Sequence, residues 1–543
     1  MQRTNAILVA TLVVLTTVAT PFGTALAAAQ TAEEPAIVEY GGLDGKPSFI
    51  VTLANDTNAT GDLRGWANES DSRTILRLSE EHDTAVIAAP EYRVRDLGFW
   101  ERVGSLDLDT LLNGGGGLAT VSFVEDVSPN YRMSTPDPVT LQNEGQWSPP
   151  EIPTQAKFSG PGTDYLFGQQ MPTQGIGFAA DAPPTTPADA RRVMGINNVS
   201  VTGEGVTVVP IDSGCSVGNG QYLGNGSVDS EIRIVNESKS WIGEDNPTVG
   251  EQGFEAVADS NNHGTWVTHA MAANTTNDTY DGVLPDADIL CLQTMDSEGS
   301  GSTADIVDAV RYATDYHQNH SGSMVISMSL GSPLWNEALA DAVDDAREEG
   351  IIVVVAAGNS AQLRSPGIAS PGDAANVTTV GAVTGEPAQN ASRAYFSQYG
   401  PDPGTLDNSG GTSEGADVDL VAPGMNTTVR TPNGDLTMSG TSMGTPYVAA
   451  AMGAVMEAHP DWSADRVEAQ VYASARRIPN VSEYAAGHGM VAPDRAIAEE
   501  NASQSQTEAM NGPASTRQDL YDHISDAQGG FIARTAASIE EAL

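Results

Sequence analysis

The sequence predicts an α/β fold with a mostly parallel central sheet and helices on both faces, preceded by a small α+β unit. Three observations carry this. Between about residues 187 and 500, short apolar runs rich in Val and Ile alternate with longer helical patterns. Near-continuous apolar runs belong to strands buried on both faces, as in a parallel sheet. Residues 134–187 are rich in Pro, Gly, Gln and Thr, a linker composition that separates this body from the shorter pattern before it. A chain of 543 residues with 40% hydrophobic content can bury a substantial core and holds roughly two to four domains.

The elements follow in order. Arg3 precedes an apolar run from Ala6 to Ala19, and Ala25-Leu26-Ala27 offers a small-x-small cleavage site. Residues 1–27 therefore read as an export signal peptide, and the mature chain as secreted and extracellular. No later stretch reaches 18 uncharged apolar residues, so no membrane span is expected. Residues 28–133 form the α+β unit, opening with a leader to about residue 45. Within it Ser48–Ala54, Ala85–Ala88 and Ala119–Val124 are strand-like, and Ile75, Leu76 and Leu78 predict an amphipathic helix over Ser72–His82. After the linker, residues 188–500 form the main domain. Its strands are expected at Val206–Ile211, Asp288–Leu292, Val325–Met328, Ile351–Ala356 and Val377–Val383. Its clearest helices are Asp305–Asn319, Trp335–Glu349 and Thr445–His459. Residues 501–543 are a polar, acidic extension with one weak helical pattern near residues 536–543.

The net charge is −46, from 71 acidic and 25 basic residues spread along the chain. Phosphate backbones would be repelled, so nucleic acid is not an expected partner. Lys46, Lys157 and Lys239 are the only lysines. Such lysine-poor acidity resembles that of haloarchaeal proteins, which work where molar salt shortens the Debye length to about 3 Å. Cys215 and Cys291 are the only cysteines. They read as two buried thiols or one bridge, the thiols being the plainer expectation.

Three segments carry chemistry. Val206 to Ile211 is an apolar strand ending in Asp212-Ser213-Gly214. Sites in open α/β sheets form at such carboxyl ends, although an Asp there is more often a turn former. Asn262-His263-Gly264-Thr265-Trp266-Val267 runs into an alanine-rich helical stretch, placing a histidine at a helix start. Met438-Ser439-Gly440-Thr441-Ser442-Met443-Gly444-Thr445-Pro446 surrounds a serine with small residues ahead of a small-residue helix. A substrate backbone could approach that serine, and helix-start N–H groups could stabilise negative charge there.

Together these segments resemble the signature regions of the subtilase family, in its order Asp, His, Ser and over about 310 residues. The likeness extends to Ser327-Met328-Ser329-Leu330-Gly331, Glu298-Gly299-Ser300-Gly301, Ala356-Ala357-Gly358-Asn359-Ser360, Val421-Ala422-Pro423-Gly424 and Gly487-His488-Gly489. The resemblance implies a subtilisin-like fold and a serine endopeptidase acting on proteins or peptides. It implies Ser442 as nucleophile, His263 as base and Asp212 as its orienting carboxylate. Asn359 and the Ser442 N–H would hold the oxyanion. Ser329, Leu330 and Gly331 on one side, and Gly299, Ser300 and Gly301 on the other, would pair with substrate main chain. Ala356, Ala357 and Gly358, with Ser329-Leu330-Gly331, would wall a small apolar pocket suited to large uncharged side chains.

The same resemblance implies that the N-terminal unit is a propeptide, acting in cis as folding template and inhibitor; a retained accessory domain is the alternative. No cofactor is needed for the chemistry. Asn277, Asp278 and Asp281 lie where many subtilases bind a structural calcium ion, with solvated acidic surface as an equal alternative. Trp266, Gly444 and Tyr447 stand where the family usually has His, Ala and His. An inactive subtilase-fold binding or adhesion protein is the rival in another class. The complete set Asp212, His263, Asn359 and Ser442 argues against it. An esterase would present Gly-x-Ser-x-Gly in the order Ser, Asp, His; Gly440 to Gly444 fits the short pattern and the order does not.

Overall fold

A computed structural model describes residues 48–88, 123–135, 176–177 and 185–499, apart from 55–57, 71–72, 80–81, 131, 217–229, 243–250, 254–255, 276, 333–335, 362–367, 401–417, 433, 480 and 482. The signal peptide, the leader, most of the linker, most of the strand expected at Ala119–Val124 and the C-terminal extension lie outside the described residues.

The N-terminal unit contains β1 (Ser48–Leu53), α1 (Ala59–Asn68), β2 (Thr74–Ser79), β3 (Thr84–Ala88) and β4 (Val124–Pro129). Its antiparallel sheet runs β2-β3-β1-β4. Phe49, Val51, Leu53 and Ile87 on one face pack with Leu63 and Trp66 of α1 into a small core of their own. The helix expected over Ser72–His82 is instead the strand β2. A bulge makes Leu76 an extra residue between the pairs Ile75↔Ile87 and Arg77↔Val86. Ile75 and Leu78 therefore turn to the same core although three apart, which imitates helical spacing. The actual helix α1 carries Ala59, Leu63 and Trp66 inward, but Gly61 and Gly65 weaken its signal.

A short strand β5 (Arg132–Ser134) follows. Next comes α2 (Pro187–Met194), with Thr186 and Asp189 forming a reciprocal capping box. Then come β6 (Val206–Asp212), α3 (His263–Ala272), β7 (Asp288–Ile289), β8 (Leu292–Gln293) and β9 (Ser300–Ser302). They are followed by α4 (Thr303–Asn319), β10 (Ser323–Met328), α5 (Glu337–Glu348), β11 (Ile352–Ala356), β12 (Thr378–Val383), β13 (Leu420–Pro423) and α6 (Thr441–Ala458). The single strand expected over Asp288–Leu292 is thus two short ones, both paired with β6.

The central strands run β8-β6-β10-β11-β12-β13, every neighbour parallel. Side chains alternate across it. Val206, Val208, Val325, Ile352 and Val354 join one core with α3 and α6. Val209, Ile211, Met324, Ile326, Val353 and Val355 join another with α4 and α5. The sheet is therefore covered on both faces, as the apolar runs predict. Every residue of α3 is buried, and α6 is buried from Thr441 to Met456, so both helices lie inside the domain.

Candidate active site

The parallel strands all deliver their carboxyl ends to one edge. Asp212 closes β6, Ser329 follows β10, and Asn359 lies three residues beyond β11. Helix α3 brings His263 as its first residue, and α6 brings Ser442 in its first turn. The two helices pack together through Trp266 and Tyr447, edge to face with centroids 6.2 Å apart. Two of the departures from the family pattern thus contact one another, and the Trp266 indole N–H also donates to the Leu436 carbonyl.

His263 and Asp212 are each about 1% exposed. The Nδ1–H of His263 donates to both carboxylate oxygens, at 2.8 and 3.0 Å. This fixes the tautomer and leaves Nε2 as the basic nitrogen. Burial opposes charge on the ring, but the Asp212 charge and hydrogen bond, with a further contribution from Asp259, raise its pKa above the ordinary histidine value. Among the described residues Nε2 has no hydrogen-bond partner. The Ser442 hydroxyl donates to the Ser329 carbonyl at 3.3 Å rather than to His263. The structure therefore joins Asp212 to His263 and Ser442 to Ser329, without a direct Ser442–His263 hydrogen bond.

Pro446 explains the tie between Ser442 and β10. Proline lacks the N–H that would bond the carbonyl four residues earlier. That carbonyl belongs to Ser442, and it accepts instead from the Ser329 hydroxyl at 2.9 Å. Asn359 is oriented with similar economy. Its Oδ1 accepts from the N–H and hydroxyl of Thr441, at 2.8 and 3.0 Å. The amide nitrogen, on the other branch, is buried and has no partner among the described residues. A Cβ on Gly440 would come within 2.9 Å of that nitrogen, so only glycine leaves this space open. Thr441 belongs to the serine segment by sequence, and its hydroxyl serves Asn359 and the Gly358 N–H rather than capping α6.

The expected edge strands are both paired, and the partner is β5. It runs antiparallel to β9, with Ser134 opposite Ser300 and Met133 opposite Gly301. On its other side the Gly331 N–H donates to the Ser134 carbonyl at 3.1 Å. The Thr135 N–H donates to the Gly299 carbonyl at 2.9 Å. Leu330, Ala356 and Ala357 are fully buried beside this cleft. Gly358 has a left-handed φ of 103° and donates its N–H to the Thr441 hydroxyl at 3.1 Å.

The structure decides between the two forms open to the cysteines. Cys215 and Cys291 are bonded, with S–S 2.08 Å, rather than two thiols. Cys215 lies just past β6, after Gly214 with its left-handed φ of 113°, and its N–H donates to the Val257 carbonyl; Cys291 precedes β8. Asn277, Asp278 and Asp281 make hydrogen bonds within the protein. Asp281 Oδ1 accepts from the N–H and hydroxyl of Thr275, and Asn277 Oδ1 accepts from the Thr279 N–H. The Arg191 guanidinium donates to the Asp278 carbonyl, placing a positive charge there. No group of three or more His, Cys, Asp or Glu side chains able to hold a metal occurs among the described residues. No described helix is long and apolar enough to cross a membrane.

The sequence profile of the subtilase family matches residues 203–507, more than half of the chain, and the chain belongs to that family. It is a subtilisin-like serine endopeptidase, a hydrolase. Subtilisin Savinase of Lederbergia lenta is 30% identical over 292 residues, 54% of this chain and 91% of that protein. Subtilisin DY of Bacillus licheniformis is 34% identical over 231 residues, 42% of this chain and 76% of that protein. Alkaline elastase YaB of Bacillus sp. (strain YaB) is 30% identical over 287 residues, and the chain spans 63% of its length.

Proposed function

We propose that the protein is a secreted endopeptidase working in high salt through Asp212, His263 and Ser442, with Asn359 as oxyanion donor. The observation that carries the reading is the buried Asp212–His263 pair, whose Nδ1–H donation leaves Nε2 basic. After a rotation of its hydroxyl away from Ser329, Ser442 would pass its proton to that Nε2 and attack the scissile carbonyl. Asp212 stabilises the imidazolium that results, and the Asn359 amide with the Ser442 N–H stabilises the oxyanion. Collapse expels the amine, which takes the proton from His263, and leaves an acyl-serine. Water, deprotonated by His263, then releases the acid and restores Ser442.

The N-terminal unit acts in this reading as a propeptide. Its support is β5, which holds the main-chain positions that an extended substrate would take between Gly331 and Gly299-Ser300-Gly301. Mature protein lacking residues 28 to about 185 agrees with this, and fully active enzyme with an intact N-terminus overturns it. The pocket beside Leu330 and Ala356-Ala357-Gly358 favours large uncharged side chains, and a strict preference for Arg or Lys overturns that. Export rests on the signal-like N-terminus, and salt tolerance on the charge of −46.

The test is casein hydrolysis by purified protein and its Ser442→Ala variant in about 3–4 M salt. Loss of about a million-fold in the variant is expected, a magnitude taken from this enzyme class. Processed, folded wild type that cleaves nothing overturns the reading and favours a binding role.

A further inference from the structure

The carboxylate of Asp259, four residues before His263, accepts from five donors. Oδ1 takes the Ser213 hydroxyl at 3.0 Å and the N–H groups of Asn261 and Asn262 at 2.8 and 2.9 Å. Oδ2 takes the N–H and hydroxyl of Thr265, at 2.8 and 2.6 Å. These donors belong to both segments that meet in the Asp212–His263 pair. Ser213 follows Asp212, and its N–H donates to Asp212 Oδ1 at 2.7 Å. The Ser213 hydroxyl also accepts the Gly264 N–H at 2.9 Å, so it bridges Asp259 to the start of α3.

Helix starts leave N–H groups without intrahelical partners, and a side chain just ahead usually caps them. Asn262 stands at that place but makes no side-chain cap. Its φ of 77° is left-handed, and Asp259 holds its N–H in that conformation. The first turn of α3 is satisfied from outside: His263 N–H by Asn261 Oδ1, Gly264 N–H by Ser213, and Thr265 N–H by Asp259. Gly264 allows the approach, since a Cβ there would lie 2.2 Å from the Gly214 carbonyl. We infer that Asp259 is a positioning residue, which sets the Asp212–His263 geometry by clamping the strand end of one to the helix start of the other.

A plain helix cap would support the fold and leave the histidine's protonation alone. Asp259 differs in adding negative charge near the imidazole. The groups acting on His263 are Asp212 at the end of β6 and Asp259 ahead of α3, both favouring the protonated ring against burial. His269, farther along α3, has its pKa pushed down to about 4 by burial and stays neutral. Tyr447 on α6 is pushed well above the ordinary tyrosine value by burial and also stays neutral. Removing the Asp259 charge therefore lowers the pKa of His263, and activity that needs its neutral form persists to lower pH.

The inference rests on His263 being the base, and the experiment separates the two. Processed full-chain wild type, Asp259→Asn and Ser442→Ala are assayed on a chromogenic peptide across pH in high salt. Asp259→Asn should lose about tenfold in kcat with KM within twofold, and its acid limb should move to lower pH. Wild-type kcat and an unmoved limb in Asp259→Asn, with Ser442→Ala inactive, overturn this inference alone. Activity in Ser442→Ala overturns the underlying reading. If Asp259→Asn does not fold, Ser213→Ala decides: it breaks the bridge but keeps the charge. It should lower kcat without moving the limb, and an unchanged kcat overturns the clamp.

Discussion

The N-terminal unit and the region around Asp212 and His263 are held by different means. Around the pair, each group is fixed from several directions by short bonds inside a buried shell: Asp259, Ser213, Thr441 and Ser329 all act on neighbours in the site. The N-terminal unit instead owns a separate core about Phe49, Leu63 and Trp66, and meets the body along one face. Ile50 and Val86 pack toward α4, while Ser128 and Asn130 cap the starts of α5 and α4. Further ties among the described residues include the pairing of β5, a few ionic contacts and a buried hydrogen bond from the Arg311 guanidinium to the Thr84 hydroxyl at 2.8 Å. The difference teaches that one region is held by a dense set of hydrogen bonds that fix a geometry, and the other by a core of its own, as the proposed propeptide role requires.

The sharpest test of the first half is the disulfide. Cys215 lies three residues beyond Asp212, and the bridge closes a sequence separation of 76 residues. Loop-closure entropy on that scale is worth about 4 kcal/mol. Cys215→Ala with Cys291→Ala should lower the thermal inactivation midpoint of the processed body, with activity at low temperature largely kept. An unchanged midpoint would mean that the site's shell holds without the bridge.

Next in size is Asn359→Leu. Its amide nitrogen is held open by Thr441 and Gly440, and losing one preorganised oxyanion donor costs about 3–4 kcal/mol. The expected result is a fall of about a hundred- to a thousandfold in kcat with KM little changed. A variant that raised KM and spared kcat would make Asn359 a substrate contact.

The contrast also explains what could be read from residues alone. The parallel sheet was legible because Val and Ile runs must be buried on both faces, and alternation of Val206, Val208, Val209 and Ile211 between two cores bears that out. The motifs around Asp212, His263 and Ser442 are contiguous, so they were visible as strings. Asp259 and Ser213 were not, because their meaning lies in hydrogen bonds across 46 residues of chain. The cysteine bridge joins residues 76 apart, one of them beyond the Gly214 turn that follows β6, which no local pattern states. In the N-terminal unit, the bulge at Leu76 gave a strand the spacing of a helix.

The smallest expected effect concerns the joint between the two regions. Arg77 of β2 reaches α4 and donates to Asp305 at 2.5 Å, to Asp308 and to the Ala304 carbonyl. Its side chain is 14% exposed, and those of Asp305 and Asp308 are 15% and 23%. Breaking a fully buried pair typically costs about 3–5 kcal/mol. Release of the N-terminal unit would return both carboxylates to water, so the net effect on docking is smaller, about 1.4 kcal/mol or tenfold. Partial burial also limits screening, so the contact should persist in molar salt where exposed pairs fade. Full-chain Arg77→Met should therefore shorten the lag before caseinolytic activity appears by about tenfold, in high salt as in low. An unchanged lag would mean that β5 and the apolar face around Ile50 and Val86 hold the unit alone, and that the ionic contact selects orientation rather than residence.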